Sequence, residues 1–100
     1  MNKPSLVAQR FQTQEPARVE VYGKTEAFLC KMSNLSTSGA LLEVLSSENM
    51  PEVGDLICVT ISLRHINKTH VLNGEVIWRK NQNMGVAFIN HKALLQKLTG

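Results

Sequence analysis

Residues 34–45, NLSTSGALLEVL, pass from six small or polar residues to a nearly continuous apolar run. Asn and Ser side chains form hydrogen bonds to the backbone of turns, and Gly39 can adopt the positive φ that other residues avoid. The first half therefore predicts a turn, and ALLEVL predicts the strand that follows it. The same residues also suit a ligand, because Asn34 and Ser36 would project to one side of an extended segment and a glycine allows close approach.

Short apolar runs separated by turn residues lie on both sides of this stretch. RVEVY (18–22) and EAFLCKM (26–32) precede it, whereas LICVTISL (56–63), HVLNGEVIWRK (70–80) and MGVAFIN (84–90) follow it. Several short strands with turn signals between them are typical of an all-β barrel or sandwich. The sequence therefore predicts an all-β fold of six strands.

A short helix is predicted to follow the last strand, over residues 91–98. Asn90 stands in the N-cap position before HKALLQKL, where its side chain can accept a hydrogen bond from a helix N–H. An apolar stripe for packing against the strands is formed by Ala93, Leu94, Leu95 and Leu98.

The domain organisation follows from length and periodicity. One hundred residues accommodate one modest core. Residues 1–15 have weak periodicity and many polar side chains, so they are predicted to form a flexible N-terminal arm, and residues 16–100 a single β-barrel domain. No apolar run approaches the roughly 20 residues of a membrane span, and no signal-peptide core is visible. We therefore expect a cytoplasmic protein with no membrane insertion.

Signatures of catalysis and of metal binding are absent from the sequence. It contains no P-loop, GxGxxG, HExxH or GxSxG motif. His65, His70 and His91 are not spaced with carboxylates, and a catalytic histidine needs a positioned partner. Cys30 and Cys58 lie in apolar runs without further ligands, so we expect small buried hydrophobes in a reducing compartment. We predict a protein that is not an enzyme and holds no metal or cofactor.

The charge balance is mildly basic. The formal net charge is +3, which permits an anionic ligand without requiring one. Charges at strand ends are usually solvated, so we expect a solvated rim rather than phosphate steering at four such residues. They are Arg64, Lys68, Arg79 and Lys80.

The stretch NLSTSGALLE resembles the (D/N)xSxxG signature of PilZ domains, bacterial modules that bind cyclic di-GMP, with Asn34, Ser36 and Gly39 in the signature positions. GDLICVTISL, NGEVIWRK and MGVAFI resemble the family's strand patterns in the same order, and the similarity covers residues 16–98. The resemblance implies a six-stranded antiparallel barrel with a C-terminal helix. It also implies that Asn34 and Ser36 hydrogen-bond the guanine edge, while Gly39 lets the ligand approach.

The family's second signature, RxxxR, is incomplete in this chain. Counting from Arg10 places Gln14 at the second arginine position, and counting from Gln9 places Thr13 there. Arg18 is the one remaining arginine before the turn, so Arg10, Gln14 and Arg18 are expected to face the phosphates. A bidentate guanidinium contact contributes roughly 1–3 kcal/mol, and about 1.4 kcal/mol is tenfold in affinity. Losing one arginine would weaken the site, and losing both would abolish it.

Two functions are compatible with these observations. The first is a cyclic di-GMP receptor that signals through contact with a partner protein, since no output domain is visible in 100 residues. The second is a degenerate PilZ domain that acts as a protein-interaction adaptor without nucleotide. A barrel for single-stranded nucleic acid is disfavoured, because such proteins need several exposed aromatic residues. The aromatic residues expected in the core instead are Tyr22, Phe28, Trp78 and Phe88.

Overall fold

The computed structural model describes residues 11–45, 49–63 and 66–100, with side chains from residue 15 onward. Six strands and a helix follow in order: β1 (Phe11–Val21), β2 (Ala27–Leu35), β3 (Gly39–Val44), β4 (Leu56–Leu63), β5 (Lys68–Lys80), β6 (Asn83–Ile89) and α1 (His91–Thr99). The strands close into a barrel in the order β1-β2-β3-β6-β5-β4, and every neighbouring pair is antiparallel. The predicted six-stranded antiparallel barrel with a C-terminal helix is confirmed.

The core lies inside the barrel and is built by alternation along the strands. Successive side chains of a strand point to opposite faces, so every second residue enters the interior. All the buried side chains of the described residues are apolar or small, and none is polar or charged. The interior cluster consists of Ala17, Val19, Val21, Phe28, Cys30, Met32, Leu42, Val44, Ile57, Val59, Ile61, Val76, Met84 and Val86.

Strand β1 begins earlier than the sequence pattern predicted. It starts at Phe11, whose backbone lies opposite Leu35, and residues 11–15 of the predicted arm therefore belong to the barrel. Local periodicity did not reveal this part of the strand, because a register shift between Gln12 and Glu15 interrupts the alternation. The predicted arm over residues 1–10 lies outside the described residues and stays a prediction.

Helix α1 packs on the outside of the barrel against β5. Its start was predicted correctly, since Asn90 Oδ1 accepts a hydrogen bond from the Ala93 N–H at 2.7 Å. Leu94 is buried, and Lys97 Nζ lies 3.4 Å from Glu75 Oε1 on β5. Leu95 and Leu98 remain exposed, so the predicted stripe is only partly used, because the helix meets one strand of a convex surface. No helix within the described ranges has the length and apolar content to cross a bilayer.

Candidate functional site

The turn between β2 and β3 is held by the hydroxyl of Ser36. The Ser36 N–H donates to the Gly39 carbonyl oxygen at 2.9 Å. Ser36 Oγ accepts hydrogen bonds from the N–H groups of Ser38 and Gly39, each at 3.2 Å. The side chain thus satisfies two backbone donors that the turn would otherwise leave to solvent. Ser36 is a structural element of this turn whether or not a ligand is present.

Gly39 is required by close packing and not by an unusual backbone angle. The glycines with positive φ among the described residues are Gly23 and Gly54, so Gly39 does not use the positive φ that a glycine allows. A Cβ added at Gly39 would lie 2.3 Å from the carbonyl oxygen of Val86 on β6. Any side chain here would push β3 away from β6. The absence of a side chain at Gly39 therefore allows β3 and β6 to pack closely.

Asn34 faces outward because β2 carries a bulge. Met32 is buried in the core, and simple alternation would place Asn34 inside as well. Met32 lies opposite Leu42, however, and Asn34 opposite Leu41, so Ser33 is an extra residue that reverses the alternation. The half-buried Asn34 carboxamide makes no hydrogen bond to a described side chain or backbone group. Its donors and acceptor are available at the barrel surface.

A second bulge turns Trp78 outward on the other side of the same surface. Val76 pairs with Val86, and Trp78 pairs with Gly85, so Ile77 is the extra residue. The Trp78 indole lies across Gly85, since a Cβ there would be 2.1 Å from Nε1. Trp78 is 43% exposed, and its predicted place in the core is wrong. Tyr22 is likewise 37% exposed, whereas Phe28 is buried as expected.

The register brings these residues into one row across five strands, which we call the site row. Residues directly opposite each other on neighbouring strands project to the same face of the sheet. The row runs through Asn34, Leu41, Gly85 and Trp78, and the backbone of Gln12 on β1 lies opposite Asn34 at its end.

A groove of about 270 Å³ lies over this row, between the β2–β3 turn and the indole. Gly39 and Gly85 contribute only backbone to its lining, and the indole covers Gly85. Ligand pockets usually measure about 300–1,000 Å³, so the groove fits one planar ring better than a whole dinucleotide. It is lined by Asn34, Leu35, Ser36, Gly39, Ala40, Leu41, Ile77, Trp78, Gly85 and Val86.

A second, more apolar cavity of about 370 Å³ lies on the other side of the turn, at the open end of the barrel. It shares Leu35 and Ser36 with the groove, and aliphatic residues and Phe88 form most of its wall. His70 is its one titratable lining residue among those described. Asn34 lines the groove and not this cavity.

The three residues predicted to face the phosphates do not lie together near the groove in the part of the chain that the structure describes. Arg10 lies outside the described residues, and the backbone of Gln14 lies in the irregular part of β1 between Gln12 and Glu15. Arg18 lies opposite Leu29 on β2, five residues and therefore about 17 Å along the strand from Asn34. Its exposed guanidinium lies 3.5 Å from Glu20. The structure thus brings Asn34, Ser36 and Gly39 together but does not bring Arg18 to them.

The described residues that line the groove are apolar or neutral polar. None of its described lining residues is titratable, and the described residues contain no group of three or more His, Cys, Asp or Glu that would hold a metal ion. Among the described residues, the groups whose pKa values are shifted do not line the groove. Burial raises the pKa of the Cys30 thiol to about 12. Partial burial, with Cys58 and Glu20 nearby, raises the pKa of Tyr22.

The PilZ domain family model matches residues 8–99. The barrel is similar to the PilZ domain of CeSA from a cellulose-synthesizing bacterium, with a TM-score of 0.68 and 16% identity over 90% of this chain and 88% of that chain. The PilZ domain of Escherichia coli YcgR, solved with c-di-GMP, gives a TM-score of 0.68 and 10% identity over 95% of this chain and 88% of that chain.

The Bacillus subtilis inhibitor of motility, MotI/DgrA, gives a TM-score of 0.67 and 14% identity over 96% of this chain and 49% of that chain. No curated protein sequence matches this chain. At these identities the solved structures show a shared barrel, whereas the family model spans all six strands and the whole helix. The chain therefore belongs to the PilZ domain family.

Proposed function

We propose that this domain binds cyclic di-GMP in the groove over the site row and passes the signal to a partner protein. Membership in the PilZ family supports the ligand, because PilZ domains bind cyclic di-GMP and the similar barrel of YcgR was solved with it. The observation that carries the proposal is the outward Asn34 carboxamide, which lines the same groove as the exposed Trp78 indole, with Leu41 and Gly85 between them in the site row.

The groove residues take different parts in holding a guanine. The Asn34 carboxamide offers both a donor and an acceptor to the Watson–Crick edge of the guanine, where O6 accepts and N1–H and the amino group donate. The exposed indole of Trp78 offers an apolar face for the base, and such stacking contributes about 1–3 kcal/mol per base. Ser36 acts by fixing the turn, and Gly39 by holding β3 close to β6.

The rest of the nucleotide would extend along the barrel surface. Arg10 immediately precedes Phe11, whose backbone lies opposite Leu35, at the edge of the groove. This position suits a guanidinium that reaches a phosphate, and Gln14 would add a neutral hydrogen bond. Arg18 lies too far along β1 for the same task. The incomplete arginine pair predicts a weaker site than two arginines would form.

The alternative is an adaptor that works without nucleotide. The small groove volume and the glutamine at position 14 favour it. In that case Asn34→Ala would leave partner binding unchanged, whereas in a receptor it would remove the effect of the nucleotide on that binding.

Titration calorimetry with cyclic di-GMP distinguishes the two functions. We expect saturable binding by the full chain and a loss of at least tenfold in affinity for Asn34→Ala, because a base-edge contact contributes roughly 1–3 kcal/mol. Arg18→Ala is the matched control and should bind as the unchanged chain does. Absence of heat and of any thermal shift at millimolar nucleotide would refute the receptor function and leave the adaptor.

A further inference from the structure

A second row of outward residues runs parallel to the site row and carries three charged side chains. Lys31 lies opposite Glu43, Glu43 opposite Asn83, and Asn83 opposite Lys80. We call these four residues the charged row. On β2, β3 and β6 the alternation confirms the outward direction, since Met32, Leu42 and Met84, which adjoin Lys31, Glu43 and Asn83, are buried in the core. Lys80 is exposed and shares this face because it lies directly opposite Asn83.

The charged row lies within reach of a ligand in the groove. Lys80 is two residues beyond Trp78 on β5, and Glu43 is two residues beyond Leu41 on β3. Two residues of a strand span about 7 Å, which is close to the length of an extended lysine side chain. A phosphate next to a base on the Trp78 indole would therefore lie between the two rows.

No ion pair within the described residues neutralises the charges of this row. Neither Lys31 nor Lys80 has a carboxylate of a described residue within 4.0 Å, although Glu43 lies across the sheet from Lys31. At the opposite end of the groove, Glu75 is paired with Lys97 at 3.4 Å. Two lysines and one glutamate give the charged row a net positive charge. The ion pair at the opposite end of the groove has no net charge.

We propose that Lys80, assisted by Lys31, binds the phosphates of the nucleotide and replaces the charge missing from the arginine pair. This inference rests on the proposed function. Lys80 is then a binding residue and not part of the solvated rim predicted from its strand-end position. Glu43 faces the same phosphates and weakens their binding by repulsion.

The test is the affinity for cyclic di-GMP of single variants of the full chain, measured at two salt concentrations. Lys80→Ala should bind about fivefold more weakly, the equivalent of about 1 kcal/mol for an exposed charge pair, and should lose part of the salt dependence. Glu43→Gln should bind about twofold more tightly. Lys80→Arg should retain the affinity, since a guanidinium also binds phosphate.

Lys68→Ala is the matched control, because Lys68 is an exposed lysine of the same strand, about 40 Å along it from Lys80. Equal affinities for Lys80→Ala and Lys68→Ala, with Asn34→Ala still defective, would overturn the role of Lys80 and leave the proposed function intact. Failure of the unchanged chain to bind would overturn both. Circular dichroism of each variant verifies that the barrel is folded.

Discussion

The Trp78 indole covers Gly85 on the neighbouring strand so closely that a Cβ at Gly85 would lie 2.1 Å from the indole nitrogen. The glycine is buried although it faces the outside of the barrel. The Trp78 side chain therefore packs over Gly85 on β6 and also forms a wall of the groove. The position of this wall depends on the absence of a side chain at residue 85.

Gly85→Ala should displace the indole. Overpacking of this kind costs about 1–3 kcal/mol, and here the obstructing atoms belong to a side chain that can swing away. We expect red-shifted tryptophan emission and weaker nucleotide binding with a modest loss of stability. In a Trp78→Ala background the same substitution should cost almost nothing, and an undiminished cost there would contradict the explanation.

Gly39→Ala should destabilise the barrel more than Gly85→Ala does. The obstructing atom at Gly39 is a backbone carbonyl oxygen of Val86 at 2.3 Å, so β3 and β6 must separate. The hydrogen bond from the Phe88 N–H to the Ser38 oxygen, 2.9 Å long, would be strained as well. We expect a loss of about 3 kcal/mol in urea unfolding, at the upper end of the usual range. The reverse order of the two variants would disprove this account.

Ser36→Ala should loosen the turn without unfolding the protein. It removes the acceptor of the Ser38 and Gly39 N–H groups, and an unmet turn hydrogen bond costs about 1 kcal/mol where water can partly replace it. Amide hydrogen exchange at Gly39 should become faster. Thr37→Ala serves as the control, because the exposed Thr37 side chain makes no hydrogen bond to a described residue, and it should leave that exchange rate unchanged.

The stability of the barrel should fall at alkaline pH, in part through Cys30. Burial raises the pKa of this thiol from 9.0 to about 12, so the folded state keeps the proton that the unfolded state releases. The contribution to stability is complete below pH 9 and is lost as the pH rises toward 12. Thermal unfolding midpoints measured from pH 8 to 11 should fall less steeply for Cys30→Ala. Parallel curves for the two proteins would show that Cys30 does not contribute.

Local sequence patterns predict much of the barrel. Alternating apolar residues predicted the strands and most of the core, and Asn90 predicted the start of the helix, because these features depend on neighbours in sequence. The Ser36 turn was predicted for the same reason, since its hydrogen bonds join residues at most three positions apart. The prediction that Arg10 and Gln14 face a ligand came from resemblance and still awaits the titration.

Only the tertiary structure decided which side chains share the groove. The extra residues Ser33 and Ile77 turn Asn34 and Trp78 outward, and a bulge is defined by the partner strand and not by the strand that contains it. The early start of β1 and the distance of Arg18 from the turn likewise follow from pairing register. Contacts between neighbours in sequence are enough to specify the strands, the turn and the helix cap, whereas long-range strand pairing sets which of their side chains lie together.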